Sequence, residues 1–179
     1  MAVAHVGSEP CDNRPMLDIH MERLTFRPWA LDDFEEIAAF FAVEDNARYV
    51  GGVKVPEQAW RLLATYTGHH QLMGYSYLAL TEKDGGALVG TVGLWNSEPW
   101  PEPELGYWLL PRAQGKGYGV EAGIAVRDYA LETLNLPSLV SYIAPANEPS
   151  KKLALRLGAE LDGVIELLDF GPHEVYRYR

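Results

Sequence analysis

A glycine-rich run between positions 104 and 121 has the composition of a phosphate-binding turn. Its sequence is ELGYWLLPRAQGKGYGVE, in which Gln114, Gly117 and Gly119 give the spacing Q-x-x-G-x-G, and Gly115 adds a further glycine. Glycines let backbone N–H groups approach a ligand closely. The helix that should follow adds N–H donors without helical partners and a partial positive charge. The pattern therefore predicts a site for a pyrophosphate group.

Two other phosphate-binding motifs fit this run poorly. A Walker A loop places Ser or Thr after its lysine, but here Lys116 is followed by Gly117. A dinucleotide fingerprint needs a third glycine where Val120 stands, and it belongs at the first strand of its fold. From the residues alone, a glycine turn that joins a strand to a helix without binding a ligand remains the alternative.

Glu104 begins the predicted strand that leads to this turn and is the first candidate for a general base. It alternates with Gly106 and Trp108 on one face of that strand. A glutamate with its reference pKa of about 4.3 is a weak base, so burial beside Trp95 or Trp108 would have to raise that pKa. An ion-paired or solvated acid at a strand end is an equal alternative.

His69 and His70 are the other titratable candidates, because histidine changes charge near neutral pH. They follow a helix end predicted at Gly68, where surface histidines are common. The sequence contains no Cys and His spacing typical of a zinc site, so no metal is predicted. The single cysteine, Cys11, cannot form an internal disulfide.

Composition indicates one globular domain. The chain has 179 residues, of which 47% are hydrophobic, and this length suits a single domain. No apolar run is long enough for a membrane-spanning helix, and the N-terminus lacks a signal-peptide pattern. We expect a cytoplasmic protein without a membrane partner, with residues 1–20 as a flexible tail and residues 21–179 as one domain.

The distribution of charge along the chain indicates which partners the protein can bind. A net charge of −10 argues against binding to nucleic acid. Acidic residues near the first helix, and those at positions 98, 102 and 104, would attract a cationic amine. For the cluster near the first helix, a solvated acidic face is at least as good an explanation. Basic residues nevertheless flank the glycine turn and the later helix, at Arg112, Lys116, Lys151, Lys152 and Arg156.

A series of predicted strands and helices positions these residues. Strands are predicted at 22–27, 75–81, 87–95, 104–110, 138–143, 161–168 and 174–178. Helices are predicted at 32–41, at 56–68, from the glycine turn to about 134, and at 149–157. The sequence KDGG at 83–86 predicts a hairpin. The order β-αα-βββ-α-β-α-ββ predicts an α/β fold of the α+β kind, a mixed sheet with helices on its faces.

This order, together with the glycine turn, resembles the GNAT superfamily of acetyl-CoA-dependent N-acetyltransferases. Within it, the chain is most similar to the ribosomal-protein N-terminal acetyltransferases of the RimJ/RimL type. The resemblance spans residues 21–179. It is carried by four motifs in order: ERLTFRP at 22–28, ELGYWLL at 104–110, QGKGYGVEA at 114–122, and NEPSK at 147–151 followed by LGA at 157–159.

The resemblance implies a splayed central sheet that binds acetyl-CoA. Backbone groups near Leu109 and Leu110 would pair with the pantetheine arm, and amides from Gln114 through Gly119 would hold the pyrophosphate. Asn147 would bond the pantetheine, and the adenosine 3′-phosphate would reach Lys116, Lys151 or Lys152. The full set of implied cofactor-binding residues is Leu109, Leu110, Arg112, Gln114, Gly115, Lys116, Gly117, Tyr118, Gly119, Asn147 and Ser150.

The implied reaction is direct attack of a primary amine on the thioester of acetyl-CoA, with Glu104 as base. The N–H group of Leu110 would stabilise the oxyanion. Many GNAT enzymes carry a tyrosine seven residues after the asparagine, where this chain has Ala154. Ser150 would then protonate the leaving thiolate, or water would, since a thiol has a reference pKa of about 8.5.

The acceptor is the part of the reaction that the sequence leaves open. A peptide or protein N-terminal α-amine is the preferred prediction. The alternatives are a small amine, such as an aminoglycoside, a polyamine or an amino acid, and a non-catalytic sensor that binds acyl-CoA. A homodimer is compatible with the sequence.

Overall fold

A computed structural model describes residues 15–179, so Cys11 lies outside the described residues. Seven strands form one mixed sheet in the order β1-β2-β3-β4-β5-β7-β6. Every neighbouring pair is antiparallel except β4 and β5, which are parallel. The strands are β1 Leu24–Arg27, β2 Ala79–Glu82, β3 Leu88–Trp95, β4 Glu104–Leu109, β5 Val140–Ile143, β6 Glu160–Glu166 and β7 Pro172–Arg177.

Five α-helices connect the strands. They are α1 Phe34–Phe41, α2 Glu44–Ala47, α3 Pro56–Met73, α4 Tyr118–Asp128 and α5 Glu148–Arg156. A π-helix, Tyr129–Thr133, continues directly from α4. The mixed α/β fold and the order of strands and major helices are confirmed, and the short helix α2 is the addition to that order.

The two faces of β4 meet different helices. Trp108 lies on the face covered by α1, where its ring stacks on Phe40 with centroids 4.6 Å apart. The next residue, Leu109, lies on the opposite face beside α4, with its Cδ1 atom 3.5 Å from where a Cβ at Gly119 would be. Since side chains alternate along a strand, Glu104 and Gly106 share the face of Trp108, whereas Leu105 and Tyr107 share that of Leu109.

The strands β4 and β5 separate almost as soon as they meet. They pair at one position, Glu104 with Val140, and the N–H of Val140 donates to the carbonyl of Pro103 at 3.0 Å. The next link is a side chain, because Ser141 Oγ donates to the carbonyl oxygen of Leu105 at 2.5 Å. The predicted splayed sheet is therefore present, and it opens at the start of β4.

Helix α3 is longer than the sequence analysis predicts. It continues past Gly68 to Met73, and its end is Gly74, whose positive φ of 78° lets its N–H bond the carbonyl of His70 at 2.8 Å. A glycine inside a helix costs about 1 kcal/mol relative to alanine, and burial of neighbours such as Tyr66 offsets that cost. His69 therefore lies within the helix, not after it.

Part of the predicted N-terminal tail has structure. Residues Pro15–Asp18 form a short 3-10 helix, and Met16 is completely buried in the main core. Met21 is also buried there. Along residues 15–179, no helix is both long enough and apolar enough to cross a membrane.

Candidate active site

A cavity of about 360 Å³ lies where β4 and β5 separate. It extends from α3 and the loop before it, across the gap in the sheet, to the first turn of α5. Of the described residues that line it, Glu104 is the only carboxylic acid, Lys54 the only lysine or arginine and His173 the only histidine. Aromatic side chains are the largest group among the other lining residues: Tyr49, Tyr66, Tyr77, Trp95, Trp100, Tyr107, Trp108, Tyr142 and Phe170.

Glu104 is half-buried at the first position of β4 and lines this cavity. Burial raises the pKa of Glu104 from 4.5 to about 7. The backbone of Tyr142 and the indole of Trp100 act in the opposite direction, but burial dominates. A carboxylate with a pKa near neutrality can accept a proton at working pH and then release it.

Aromatic rings surround this carboxylate on the α3 side. The rings of Tyr77 and Trp95 lie parallel with centroids 5.7 Å apart, and Tyr66 meets Tyr77 edge-on at 5.2 Å. The indole nitrogen of Trp100 is buried, and its interaction with Glu104 lowers the pKa of that carboxyl. Such a wall excludes water, which strengthens any charge interaction inside it, and ring faces attract an ammonium group.

His69 and His70 do not line the cavity. The imidazole of His69 is buried, stacks on Trp95 at 4.2 Å, and has both nitrogens engaged. Nδ1 bonds the carbonyl of Tyr75 at 2.9 Å, so it carries the proton, and Nε2 accepts the N–H of Asn96 at 3.3 Å. Burial lowers the pKa of His69. This side chain fixes the end of α3 to the segment after β3 and has no nitrogen available as a base.

The open edge of β4 corrects the prediction made for Leu110. The N–H of Leu110 donates to the carbonyl of Val89 at 2.9 Å, on the β3 side, so it is not available to an oxyanion or to a pantetheine arm. Hydrogen bonding alternates along an antiparallel pair. The N–H groups of Tyr107 and Leu109 therefore point to the other edge, toward the gap. Gln114 Nε2 donates to the carbonyl of Leu109 at 3.0 Å on that edge.

The glycine turn leads from this strand into α4. Gly115 and Gly117 have positive φ angles of 74° and 83°, and Gly117 is the N-cap residue of α4. The first N–H groups of a helix have no partner within it. A Cβ added at Gly115 would meet nothing within 4 Å, so space is open beside the turn. This geometry can bind an anion, as the spacing of the glycines predicts.

Gly119 has a different role from the two turn glycines. A Cβ there would lie 3.1 Å from Leu153 Cδ2 and 3.5 Å from Leu109 Cδ1. The missing side chain therefore allows α4 to pack against α5 and β4. Gly119 holds the helix close to the sheet, and its side-chain position faces these two leucines.

Two cations lie at the turn, and one of them has no signal in the sequence. Arg23 Nη1 donates to the carbonyl of Lys116 at 3.0 Å, and Arg23 Nε pairs with Glu121 at 2.7 Å. Lys116 Nζ lies 3.8 Å from a carboxylate oxygen of Glu82, which also accepts the hydroxyl of Tyr118 at 2.7 Å. Arg23 comes from the segment before β1, far from the turn in sequence.

Two other predicted cations point elsewhere. Arg112 pairs with Glu36 on α1 and donates to the carbonyl of Leu88 at 3.1 Å. Lys151 Nζ pairs with Glu174 at 2.9 Å and with Glu148 at 3.2 Å. Arg112 thus links the segment after β4 to α1, and Lys151 links α5 to β7. Neither side chain points toward the glycine turn.

Asn147 and Ser150 both line the cavity at the start of α5. Asn147 is the N-cap residue, and its Oδ1 accepts the N–H of Ser150 at 3.3 Å. The carbonyl of Ser150 accepts the hydroxyl of Tyr107 at 3.0 Å. Ala154, one turn further along, is completely buried. The structure therefore brings Glu104, Asn147 and Ser150 to one cavity.

No pattern in the sequence indicates that Lys54, Tyr66 or His173 lines the cavity. Lys54 Nζ donates to the carbonyl of Gly51 at 2.6 Å, and burial lowers the pKa of Lys54. These residues come from separate elements, and none belongs to a motif with chemical meaning. Only the fold brings them to the cavity wall.

Comparison with known proteins agrees with this geometry. A family model described as an acetyltransferase (GNAT) domain matches residues 23–160. An acetyltransferase from Agrobacterium tumefaciens is 36% identical and superposes with a TM-score of 0.82. The match covers 89% of this chain and 92% of that protein. The uncharacterized N-acetyltransferase YoaA of Bacillus subtilis is 26% identical over 150 residues, which are 82% of this chain and 85% of that protein.

A more distant structure has the same fold. The ribosomal-protein-S5-alanine acetyltransferase of Vibrio fischeri is 22% identical, with a TM-score of 0.68 over 89% of this chain and 94% of its own. The family match covers most of the chain, and the sheet opens where a GNAT domain is expected to bind its acetyl donor. The chain therefore belongs to the GNAT acetyltransferase family and is an acetyl-CoA-dependent N-acetyltransferase.

Proposed function

We propose that this enzyme acetylates the N-terminal α-amine of a peptide or protein, with Glu104 as the general base. The observation that carries this proposal is the position of Glu104: a carboxylate with a pKa of about 7 in an aromatic cavity at the point where the sheet opens. A base of this strength suits an amine that loses its proton near neutral pH.

The residues around the gap fit acetyl-CoA. The open edge of β4 offers the N–H groups of Tyr107 and Leu109 to the pantetheine arm, as an added strand would require. The turn with Gly115 and Gly117 at the start of α4 offers backbone N–H groups and open space to a pyrophosphate. Asn147 uses its side-chain oxygen to cap α5, which leaves its NH2 group to donate to a pantetheine carbonyl.

Other parts of the predicted cofactor site are revised. Lys116, with Arg23 beside it, is the cation best placed for the phosphates, because Arg112 and Lys151 are held in ion pairs elsewhere. Gln114 and Tyr118 flank the turn, and Gly119 sets the distance of α4 from the sheet.

Acetyl-CoA supplies an acetyl group activated as a thioester. The residues of this chain then have three tasks: Glu104 takes the proton of the attacking amine, an open-edge N–H group of β4 stabilises the negative charge on the carbonyl oxygen, and the aromatic wall keeps water away. Tyr107 and Leu109 replace Leu110 in the second task, since the N–H of Leu110 is bonded to β3. Backbone donors fixed before the reaction are effective stabilisers of such charge.

The pKa of Glu104 favours an α-amine as acceptor. A peptide α-amine has a reference pKa of about 8, so its proton moves to a base of pKa about 7 at a cost of about 1.4 kcal/mol. A lysine-type amine, with a reference pKa of about 10.4, would cost about 4.6 kcal/mol. The second cost alone would slow the reaction by more than a hundredfold relative to the first.

The charges on the cavity wall argue against a polyamine. A polyamine carries several positive charges and needs several acids, but Glu104 is the only acid among the lining residues that the structure describes. Lys54 on the same wall would repel a second ammonium group. A peptide with one amine at its end meets neither problem.

A panel of acceptors tests the proposal. Thiol release from acetyl-CoA should be measured with matched peptides that have free or blocked N-termini, and with spermidine, an aminoglycoside and free amino acids. We expect turnover with the free peptides and none with their blocked forms. Turnover confined to the small amines would overturn the assignment of a peptide α-amine.

The same panel should be run with Glu104→Gln and with Glu98→Gln, an exposed acid outside the cavity. Only the first change should abolish most of the turnover while the affinity for acetyl-CoA is retained. Equal effects of both changes would remove Glu104 from the role of base.

A further inference from the structure

Tyr107 lines the cavity next to α5, and the mechanism so far uses only its backbone. Its hydroxyl donates to the carbonyl of Ser150 at 3.0 Å. In a helix this carbonyl is the acceptor for the N–H four residues later, at position 154. The hydroxyl of Tyr107 therefore lies at the turn of α5 between Ser150 and Ala154, although its side chain comes from the sheet.

Glu104 and Tyr107 approach the gap from opposite sides of β4. Side chains alternate along a strand, and the two residues are three apart, so they lie on opposite faces. The face of Glu104 is covered by α1 and α3, and the face of Tyr107 is covered by α4 and α5. The sulfur of a thioester lies in the plane of its carbonyl group, across the line along which an amine attacks the carbonyl carbon. An amine held on the face of Glu104 therefore leaves the sulfur accessible from the face of Tyr107.

We propose that the hydroxyl of Tyr107 donates a hydrogen bond to the sulfur of coenzyme A as the carbon–sulfur bond breaks. The inference rests on the proposed position of the thioester beside Glu104, but it does not depend on which amine is the acceptor. In this step the hydroxyl of Tyr107 gives up its hydrogen bond to the carbonyl of Ser150 and forms one to the sulfur. A hydrogen bond to a developing anion is about twice as strong as a neutral one, so the exchange favours the leaving group.

The proton stays on the tyrosine in this step. The bond from nitrogen to the acetyl carbon forms, the bond from carbon to sulfur breaks, and the electron pair goes to sulfur. A thiol has a reference pKa of about 8.5 and a tyrosine about 10, and burial raises the pKa of Tyr107 further. The thiolate is thus the more stable anion of the two. The amine proton leaves through Glu104, and the thiolate takes a proton from water after release.

Ser150 is the competing hydroxyl that the motifs suggest. It also lines the cavity, but its backbone is engaged on both sides: its N–H is bonded to Asn147 and its carbonyl accepts Tyr107. Experiment can distinguish the two hydroxyl groups, because Tyr107→Phe and Ser150→Ala each remove one hydroxyl oxygen and keep the other atoms of the side chain.

The test measures the pKa of the thiol of bound coenzyme A, which requires no acceptor and no turnover. The ultraviolet absorbance of the thiolate is followed against pH in the wild type, in Tyr107→Phe, in Ser150→Ala and in Tyr176→Phe. Tyr176 is a buried control outside the cavity, with its hydroxyl on Glu174 at 3.0 Å. The rate of a single turnover at saturating acetyl-CoA is measured in parallel.

We expect Tyr107→Phe to raise the pKa of the bound thiol by about one unit and to slow the single turnover at least tenfold, the loss of about one charge-assisted hydrogen bond. The affinity for acetyl-CoA should change less than threefold, and Tyr176→Phe should change neither quantity. A Tyr107→Phe enzyme with an unaltered thiol pKa would overturn the proposal, as would a shift produced by Ser150→Ala alone.

A second variant covers the case in which Tyr107→Phe does not fold. Replacement of Tyr107 alone by 3-fluorotyrosine keeps the ring and the hydroxyl but makes the hydroxyl a stronger donor. The pKa of the bound thiol should then fall below the wild-type value. An unchanged or higher value would contradict the proposed hydrogen bond. Neither outcome depends on the acceptor panel, so this proposal and the assignment of the acceptor can fail independently.

Discussion

The side chain of Ser141 donates to the carbonyl oxygen of Leu105 at 2.5 Å, at the point where β4 and β5 stop pairing. The hydroxyl of Tyr178 lies 2.9 Å from the same serine oxygen and completes the link. A parallel strand pair would otherwise satisfy that carbonyl with a backbone N–H. The serine therefore lets the two strands separate without leaving a buried acceptor unpaired, and the cavity begins there.

Ser141→Ala should lower both the stability of the fold and the affinity for acetyl-CoA. The carbonyl of Leu105 would lose its partner in a buried place, which costs about 1–3 kcal/mol in the free energy of unfolding. We expect the strands to close partly so that this oxygen can find a backbone donor, and the dissociation constant to rise about tenfold, or 1.4 kcal/mol. Chemical denaturation and calorimetric titration measure the two effects.

Ser76→Ala is the matched control for that change. Ser76 is also completely buried and donates to a backbone carbonyl, that of Tyr66, at 2.8 Å. It should lose a similar amount of stability while keeping its affinity for acetyl-CoA. If both variants bind the cofactor equally well, Ser141 does not control the opening of the sheet.

The sequence was informative where a site is built from neighbours in the chain. Glu104 and the glycine turn lie within one run of 18 residues, and strand alternation alone puts Glu104 on the same face as Trp108. Asn147 and Ser150 are likewise three apart at a predicted helix start. Local rules of spacing and capping therefore place these residues before any tertiary structure is known.

The sequence was uninformative where a contact depends on packing. Nothing local links Arg23 to Lys116 or Lys54 to Glu104, because the residues of each pair are separated by long stretches of chain. Propensity predicts a helix end at Gly68, but tertiary packing continues α3 through that glycine to its C-cap at Gly74. The direction of the Leu110 N–H depends on which edge of β4 is paired, and the sequence alone does not say which.

The activity should follow the ionisation of Glu104. The carboxylate form accepts the proton, so kcat/KM should rise with pH and level off above about 7, the pKa of Glu104. Glu104→Gln should reduce kcat by about 10²–10⁴ and abolish this rise. The pH profile of kcat/KM, measured with one peptide acceptor, checks the prediction. A rise that survives in Glu104→Gln would assign it to another group or to the acceptor itself.

The same carboxylate should make stability depend on pH. The folded pKa of Glu104, about 7, exceeds the ordinary value of 4.5, so the folded state binds more protons between these values. The protonated carboxyl of Glu104 therefore contributes fully to stability below about pH 4.5, and this contribution is lost as the pH rises to about 7. Glu104→Gln should match the wild type at about pH 4 and exceed it by on the order of 2 kcal/mol at about pH 8. Urea denaturation at both pH values measures the difference in the free energy of unfolding between the variant and the wild type. The same difference at the two pH values would refute the prediction.

His69 should affect stability and leave the rate profile unchanged. Both its nitrogens are bonded within the fold, and burial lowers its pKa. Its neutral form is thus favoured by folding, and stability should fall as the pH drops below about 6.5, the opposite direction to Glu104. His69→Asn should cost about 1–3 kcal/mol and weaken this loss at low pH. A displaced pH profile of kcat/KM would instead indicate a role in catalysis.

Gly115 and Gly85 offer a matched test of the pyrophosphate site. Both have positive φ, 74° and 84°, and a Cβ at either would meet nothing within 4 Å. Substitution by alanine should therefore impose a similar backbone strain of roughly 1–2 kcal/mol at each. Gly85 lies in the hairpin between β2 and β3, whereas the space beside Gly115 is where the pyrophosphate is proposed to lie.

Gly115→Ala should accordingly weaken the binding of coenzyme A at least tenfold, and Gly85→Ala should leave it unchanged. The loss should disappear when the ligand is acetyl-pantetheine, which lacks the pyrophosphate, because the added methyl group then has no phosphate oxygen to displace. Calorimetric titration of both ligands against both variants gives the four values. If Gly115→Ala weakens acetyl-pantetheine as much as coenzyme A, the change acts through the strand or helix α4, and the turn does not hold the pyrophosphate.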